Sequence, residues 1–188
     1  MGMVRFILLF IVAWGAPLAW AQPAQVILLR HAEKSEDPAD VHLSLKGRER
    51  ALALVPWLTE TRTFLTNGLP AALFATATFK PEHSQRPQET LAPLARHLGQ
   101  PVQTPFQNRE YVALAQNILT NQAYAGKTVV ICWVHDYIPQ LAAALGVSPM
   151  PRKMKADEFD RVLLISFHDE KASLENLPQR LLYGDAAR

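Results

Sequence analysis

An arginine and a histidine stand next to each other near the beginning of the chain, directly after four apolar residues. The apolar residues are 26–29, and the pair is Arg30-His31. An apolar run of this length before polar residues is typical of a buried strand in an α/β sheet. Open α/β sheets bind their ligands at the carboxyl ends of their strands. A guanidinium group and an imidazole at such an end indicate a site for an anion.

A second histidine follows the most strand-like segment of the chain. Residues 128–133 (TVVICW) are apolar and β-branched, and Val134 separates them from His135 and Asp136. A third apolar run, 71–75, leads into the polar loop that precedes Arg86. In a parallel sheet these three strand ends can meet at one crevice. The converging side chains are then those of Arg30, His31, Arg86 and His135, with Asp136 beside them.

This combination of side chains is suited to phosphoryl transfer. Two guanidinium groups can bind a phosphoryl group bidentately. A histidine can attack phosphorus and form a covalent intermediate, which divides one difficult step into two. Positive groups around the transferring oxygens stabilise the charge of the transition state. A carboxyl group is then needed to protonate the leaving alcohol.

Helical and strand-like segments alternate along the rest of the chain, which predicts an α/β fold with a parallel core. Helices are expected over 44–59 with Ser44 as N-cap, over 88–98 before Gly99, over 111–118 and over 141–145. Further strands are expected over 101–104, 161–167 and 172–177. In the first helix the spacing predicts a buried face of Leu45, Leu52, Val55 and Leu58 and a solvated face at 48–50.

Length and composition favour a single globular domain. The chain has 188 residues, of which 49% are hydrophobic and 19% charged. The basic and acidic residues nearly balance, with a formal net charge of +2, and this balance does not indicate nucleic acid as a partner. The single cysteine, Cys132, rules out an intramolecular disulfide and a cysteine-based zinc site.

Residues 1–21 are expected to be a signal peptide. Arg5 is their only charge, residues 6–13 form an apolar block, and Ala19-Trp20-Ala21 has the small-x-small pattern of a signal-peptidase site. Cleavage before Gln22 would leave one domain, 22–188, in the periplasm or outside the cell, without a stable membrane association. The alternative is an uncleaved anchor, for which the stretch is short.

Several motifs in order resemble the histidine phosphatase superfamily, the phosphoglycerate-mutase-like proteins. They are Arg30-His31-Ala32, the helix start Leu43-Ser44-Leu45-Lys46-Gly47, the segment Arg86-Pro87-Gln88-Glu89-Thr90, and His135 after a hydrophobic strand. The resemblance runs from about Gln25 to Gly184. It implies a three-layer α/β/α sandwich around a mostly parallel sheet.

The resemblance also implies roles for individual residues. His31 would be the nucleophile that becomes phosphohistidine, Arg30 and Arg86 would hold the phosphoryl oxygens, and His135 would donate to the same group. No metal or cofactor would be required. The expected activity is that of a phosphatase acting on phosphomonoesters, with a phosphorylated small molecule or a phosphoprotein as substrate.

The proton donor is left open between two carboxyl groups. A His-Asp pair such as His135-Asp136 resembles the acid phosphatase and phytase branch, where the aspartate donates the proton. In the mutase-like branch the donor is a glutamate between the second arginine and the second histidine, and Glu110 is the matching residue. Adjacency to His135 favours Asp136 over Glu110.

Three alternatives stand beside this interpretation. One is phosphotransfer of the phosphoglycerate mutase type, for which the chain is short and lacks long insertions. Another is a non-catalytic module that binds phosphorylated ligands. The third is a metal site formed by His31, His135 and Asp136, which two arginines in the same pocket would oppose electrostatically.

Overall fold

The computed structural model of the chain describes residues 22–80, 82–169 and 171–186. The expected signal peptide, 1–21, lies outside these ranges, so it stays a prediction. Within the described part, no helix is long and apolar enough to span a bilayer.

A mixed sheet runs through the described part of the chain. Its strands are β1 (Gln25–Arg30), β2 (Ala72–Ala75), β3 (Val102–Gln103), β4 (Thr128–Trp133), β5 (Arg161–His168) and β6 (Lys171–Pro178). The strand order is β3-β2-β4-β1-β5-β6. The first four strands in that order are mutually parallel. At one side of the sheet β5 is antiparallel to β1, and β6 is antiparallel to β5. The expectation of a mostly parallel α/β sheet is confirmed.

Helices cover both faces of this sheet. They are α1 (Leu45–Glu60), α2 (Arg62–Leu65), α3 (Arg86–Leu98), α4 (Tyr111–Thr120) and α5 (Ile138–Ala144), with a 3-10 turn at Gln122–Tyr124. Ile27 and Leu29 of β1 face the core formed with α1 and α3. Val26 and Leu28 face the opposite core, formed with α4 and α5. Because alternate residues of β1 point to opposite sides, both cores meet on this strand, and the fold is the expected three-layer sandwich.

The ends of the main helices follow local chemistry. Ser44 caps α1 by accepting a hydrogen bond from Gly47 N at 3.1 Å. Gly99 ends α3 with φ of 64°, a left-handed conformation that glycine adopts without strain. Both boundaries agree with the sequence-based expectation.

The expected buried face of α1 is wrong in part. Leu45 and Leu52 are 75% and 60% exposed, while Arg50, assigned to the solvated face, is only 2% exposed. The residues of α1 that are buried are Gly47, Arg50, Ala51, Leu54 and Leu58. The helix is therefore rotated relative to its leucine pattern, because it packs Gly47 and Arg50 against distant parts of the chain.

The parallel core brings three strand ends together. Arg30 pairs in register with Trp133 between β1 and β4, and Ala75 pairs with Cys132 between β2 and β4. Neighbouring strands lie about 4.8 Å apart. The segments that follow β1, β4 and β2 therefore emerge side by side at the carboxyl edge of the sheet.

Candidate functional site

His31 lies directly at this edge and is held in one orientation. It is 5% exposed, its backbone N–H donates to Trp133 O at 3.1 Å, and its Nδ1 lies 2.8 Å from Ala32 O. A carbonyl oxygen only accepts, so Nδ1 carries the proton of the neutral ring. Burial, together with the nearby charges of Arg30, Arg86 and His135, lowers the pKa of His31 to about 4. At neutral pH the ring is uncharged, and its lone pair is on Nε2.

Arg30 is buried beside the histidine. It is 2% exposed, its Nη1 donates to Lys155 O at 2.8 Å and to Glu158 O at 3.0 Å, and its guanidinium carbon lies 3.9 Å from the centre of the Phe159 ring. Its Nε is buried without a hydrogen-bond partner among the described residues. Burial lowers the pKa of Arg30 to about 10, which still leaves it charged at neutral pH. A buried guanidinium with an unused N–H is suited to holding an anion.

His135 and Asp136 follow β4 at the same edge. Burial, followed by the positive charge of Arg30, lowers the pKa of His135 below its usual range. Lys153 Nζ lies 2.7 Å from Asp136 Oδ1, and this hydrogen bond lowers the pKa of Asp136. His135 Nε2 lies 3.6 Å from the same oxygen. Asp136 is therefore an ionised, half-exposed carboxylate bound to an ammonium group.

The guanidinium of Arg86 binds a neighbouring loop. Arg86 begins α3 and donates from Nε to His42 O at 3.0 Å and from Nη2 to Asp40 O. Glu89, one turn later, accepts from His42 Nδ1 at 2.5 Å and from Leu43 N at 2.8 Å. The loop before α1 is thus fastened to the first turn of α3. The charge of Arg86 nevertheless lies close enough to lower the pKa of His31.

Glu110 lines a polar cleft over the end of β2. A cavity of about 330 Å³ is lined by Ala77, His83, Gln107, Asn108, Arg109 and Glu110. An adjoining cavity of about 190 Å³ adds Thr76 and Ser84. Ala77 is the only lining residue in these two sets without a polar side-chain group. Such a lining offers both hydrogen-bond donors and acceptors.

Two aromatic side chains anchor one wall of this cleft to β4 and its following segment. Trp133 Nε1 donates to Asn108 O at 3.2 Å, and Arg109 Nε donates to Tyr137 Oη at 3.1 Å. Glu110 Oε2 accepts from Gln107 N at 2.7 Å. The wall that carries Glu110 is therefore tied to the strand that leads to His135.

Residues that sequence reasoning did not assign to the site hold the segment after His31. Ala32 N donates to Thr90 Oγ1 at 2.9 Å, and Thr90 in turn donates to Arg86 O at 2.7 Å. Glu33 O accepts from Ser44 N at 3.0 Å. A Cβ at Gly47 would lie 2.3 Å from the same Glu33 oxygen, so only glycine fits there. The Ser44-x-x-Gly47 spacing is a sequence signal for this contact, although the sequence-based prediction relates it to the helix start alone.

The metal-site alternative gains no support from the geometry. Among the described residues, no three histidine, cysteine, aspartate or glutamate side chains form a group that could hold a metal ion. Asp136, the carboxylate it would use, is bonded to Lys153.

Comparison with known proteins identifies the fold. Neither a protein family model nor a curated protein matches the sequence. Solved structures do match: YhfR of Bacillus stearothermophilus has a TM-score of 0.57 at 15% identity, covering 80% of this chain and 94% of its own. This chain has the histidine phosphatase fold. The resemblance stated from the sequence motifs is confirmed at the level of the fold.

Two further solved structures share this histidine phosphatase fold. A candidate phosphohistidine phosphatase, SixA of Agrobacterium tumefaciens, has a TM-score of 0.54 at 14% identity and covers 82% of this chain and 98% of its own. A candidate alpha-ribazole-5'-P phosphatase of Escherichia coli K-12 has a TM-score of 0.52 at 14% identity and covers 86% and 98%. The match thus spans nearly the whole of these proteins.

Proposed function

We propose that the protein is an exported phosphatase that hydrolyses phosphomonoesters through a phosphohistidine intermediate on His31. One observation carries the proposal: a buried, neutral histidine, whose Nδ1 donates to Ala32 O, shares the Phe159 ring as a neighbour with the buried guanidinium of Arg30. The histidine phosphatase fold supports this assignment. Export rests on the sequence of residues 1–21 alone.

The reaction divides into two displacements at phosphorus. In the first, the Nε2 lone pair of His31 forms a P–N bond while the P–O bond to the alcohol breaks, and the alcohol oxygen takes a proton from a carboxyl group. In the second, water attacks phosphorus, the P–N bond breaks, and the water proton returns to that carboxylate. Inorganic phosphate leaves, and His31 is neutral again.

Cationic groups stabilise the charge that develops on the phosphoryl oxygens. Arg30 contributes the positive charge of its buried guanidinium, whose Nε–H has no partner among the described residues. In this proposal Arg86 exchanges its present carbonyl partners, Asp40 and His42, for phosphoryl oxygens when substrate binds. His135 completes the pocket as a further donor. Groups of this kind act most strongly where water is excluded.

The ion pair with Lys153 argues against Asp136 as the proton donor. A general acid must be protonated when it acts, and its pKa is best placed near the working pH. Lys153 lowers the pKa of Asp136, which keeps that carboxyl ionised. Glu110 instead lines the polar cleft in which we place the leaving alcohol. Because Ala77 is the only apolar lining residue there, the cleft suits a polar leaving group better than an apolar one.

The decisive experiment follows phosphate release from p-nitrophenyl phosphate by the 188-residue chain, with and without a chelator, at mildly acidic to neutral pH. Turnover should survive the chelator and vanish in His31→Ala. His97→Ala is the matched control, because His97 is an exposed histidine in the last turn of α3 and its loss should leave turnover unchanged. Rapid acid-free quenching with labelled substrate should trap label on the wild-type chain and none on His31→Ala.

Other outcomes would redirect the assignment. Phosphate binding without turnover would indicate a binding module, and loss of turnover on chelation would indicate a metal-dependent enzyme. Exchange of phosphate between isomers without net release would indicate a mutase.

A further inference from the structure

A buried arginine connects the segment after His31 with the carboxyl-terminal segment of the described chain. Arg50 is 2% exposed and donates to both carboxylate oxygens of Glu33 and both of Asp185. The closest N–O distance in each ion pair is 2.7 Å. Arg50 Nη1 also donates to Gln179 Oε1 at 3.1 Å. One guanidinium thus joins α1, the segment after β1 and the segment after β6.

The segment after β6, residues 179–186, is folded around these contacts. Asp185 Oδ2 accepts from the backbone N–H groups of Leu181 and Leu182 at 2.8 and 3.0 Å, which closes a turn. At its two ends the segment holds a single residue: Gln179 N donates to Asp160 O at 2.8 Å, and Ala186 N donates to Asp160 Oδ2 at 2.5 Å.

The two residues connected by these contacts, Glu33 and Asp160, lie near His31 and Arg30. Glu33 is two positions after His31 and adjoins Ala32, whose carbonyl fixes the Nδ1 proton of the ring. Asp160 follows Phe159, whose ring lies on the guanidinium of Arg30 and 6.0 Å from the imidazole. The two walls of the pocket are distant in sequence. Residues 179–186 bond to Asp160 directly and are linked to Glu33 through the guanidinium of Arg50.

We propose that residues 179–186 are a brace for the phosphoryl pocket and that Arg50 and Asp185 are positioning residues for His31. The brace holds Asp160 directly, and it holds Glu33 through the guanidinium of Arg50. The histidine ring and the Arg30 guanidinium then keep their relative placement while substrate binds and leaves. The kinetic part of this proposal rests on the proposed phosphatase function.

The test compares three variants of the full chain. Asp185→Asn keeps the side-chain shape and removes the charge that Arg50 requires, and Asp185→Glu restores the charge. Gln25→Ala is the control for general stability. Gln25 is a buried polar residue at the opposite end of β1, where its Nε2 donates to Phe64 O and Thr128 Oγ1.

We expect Asp185→Asn to lower kcat on p-nitrophenyl phosphate about tenfold at a temperature where it is fully folded, with a smaller change in KM, because misplaced catalytic groups slow the chemical step. Asp185→Glu should recover most of kcat. Gln25→Ala should lower the melting temperature but leave kcat within about twofold. Equal kcat losses in Asp185→Asn and Gln25→Ala, compared at equal folded fraction, would overturn the brace.

A second readout does not depend on turnover. Nitrogen-15 NMR of the imidazoles should show His31 as a single Nδ1–H tautomer that stays neutral in mild acid, its signal identified by its absence from His31→Gln. Asp185→Asn should mix the tautomers and raise the pH at which His31 titrates, whereas Gln25→Ala should not. An unchanged His31 signal in Asp185→Asn contradicts the brace. If the wild-type chain shows no turnover, the phosphatase proposal fails and the NMR result still decides on the brace.

Discussion

The burial of His31 in its neutral form makes the free energy of unfolding depend on pH. Burial lowers the pKa of His31 to about 4, whereas the unfolded chain titrates near 6.5. Between these values the unfolded state binds a proton that the folded state does not, so the free energy of unfolding falls as pH drops from about 6.5 to about 4. Protonation of the unfolded state lowers the free energy of unfolding by about 3 kcal/mol over this pH range. Above pH 6.5 the ring is neutral in both states, so His31 has no such effect there.

Urea unfolding of the wild-type chain and His31→Gln at pH 7, 5.5 and 4.5 measures this contribution. The glutamine variant lacks the titrating ring but keeps every other ionisable group, including His135. The stability difference between the two chains should therefore shift in favour of the variant as pH falls. Parallel pH profiles would show that His31 is not buried in its neutral form.

The choice between Glu110 and Asp136 is also decided at single residues. A proton donor matters most for a substrate whose leaving group is a poor one, since an activated aryl leaving group departs without help. We expect Glu110→Gln to lower kcat/KM on an alkyl phosphate about 10²-fold and on p-nitrophenyl phosphate far less. Asp136→Asn should affect both substrates alike, and the reverse pattern would give the role to Asp136.

At the level of elements, the approach of α1 to the segment after β1 depends on one glycine. A Cβ at Gly47 would lie 2.3 Å from Glu33 O, a backbone atom that cannot move alone. Gly47→Ala should therefore shift α1 or the Ala32-Glu33 peptide, lowering the free energy of unfolding by about 1–3 kcal/mol and kcat as well. Thermal melts and p-nitrophenyl phosphate kinetics measure both effects. Glu49→Ala, two positions away and exposed, is the control, and a Gly47→Ala variant with wild-type kcat would contradict the argument.

The elements themselves could be predicted from the sequence where a local pattern determines them. The apolar runs ending at Leu29 and Trp133 became β1 and β4, and Ser44 and Gly99 mark helix ends as expected. The buried face of α1 could not be predicted in the same way. The burial of Arg50 depends on Asp185, which lies 135 positions away, and no local periodicity contains that information.

The site shows the same division between local and distant information. His31 and His135 could be placed at one edge because parallel strands end together, and the pairing of Arg30 with Trp133 brings those ends side by side. The present hydrogen bonds of Arg86 could not be foreseen, because its guanidinium binds the carbonyls of a loop 44 and 46 positions away. The sequence position of Arg86 predicts that its charge lies near the site. Its hydrogen-bond partners depend on how the loop with Asp40 and His42 packs against α3.

Across the whole molecule, Arg50 joins Glu33, Gln179 and Asp185, which are distant in sequence. Its loss should therefore lower the free energy of unfolding of the whole chain. Arg50→Met keeps much of the side-chain length but leaves two carboxylates without their cation, those of Glu33 and Asp185, which are 12% and 4% exposed. Removing one partner of a buried ion pair costs about 3–5 kcal/mol, because the remaining charge stays away from water.

The surface offers a matched ion pair for comparison. Lys153 Nζ lies 2.7 Å from Asp136 Oδ1, both side chains are more than half exposed, and exposed pairs contribute about 0–1 kcal/mol. Urea unfolding should therefore show a loss at least three times larger for Arg50→Met than for Lys153→Met, and only the smaller loss should diminish further in high salt. A loss below about 1 kcal/mol for Arg50→Met would mean that residues 179–186 release the carboxylates to solvent when the arginine is gone. The segment would then be too loosely held to act as a brace.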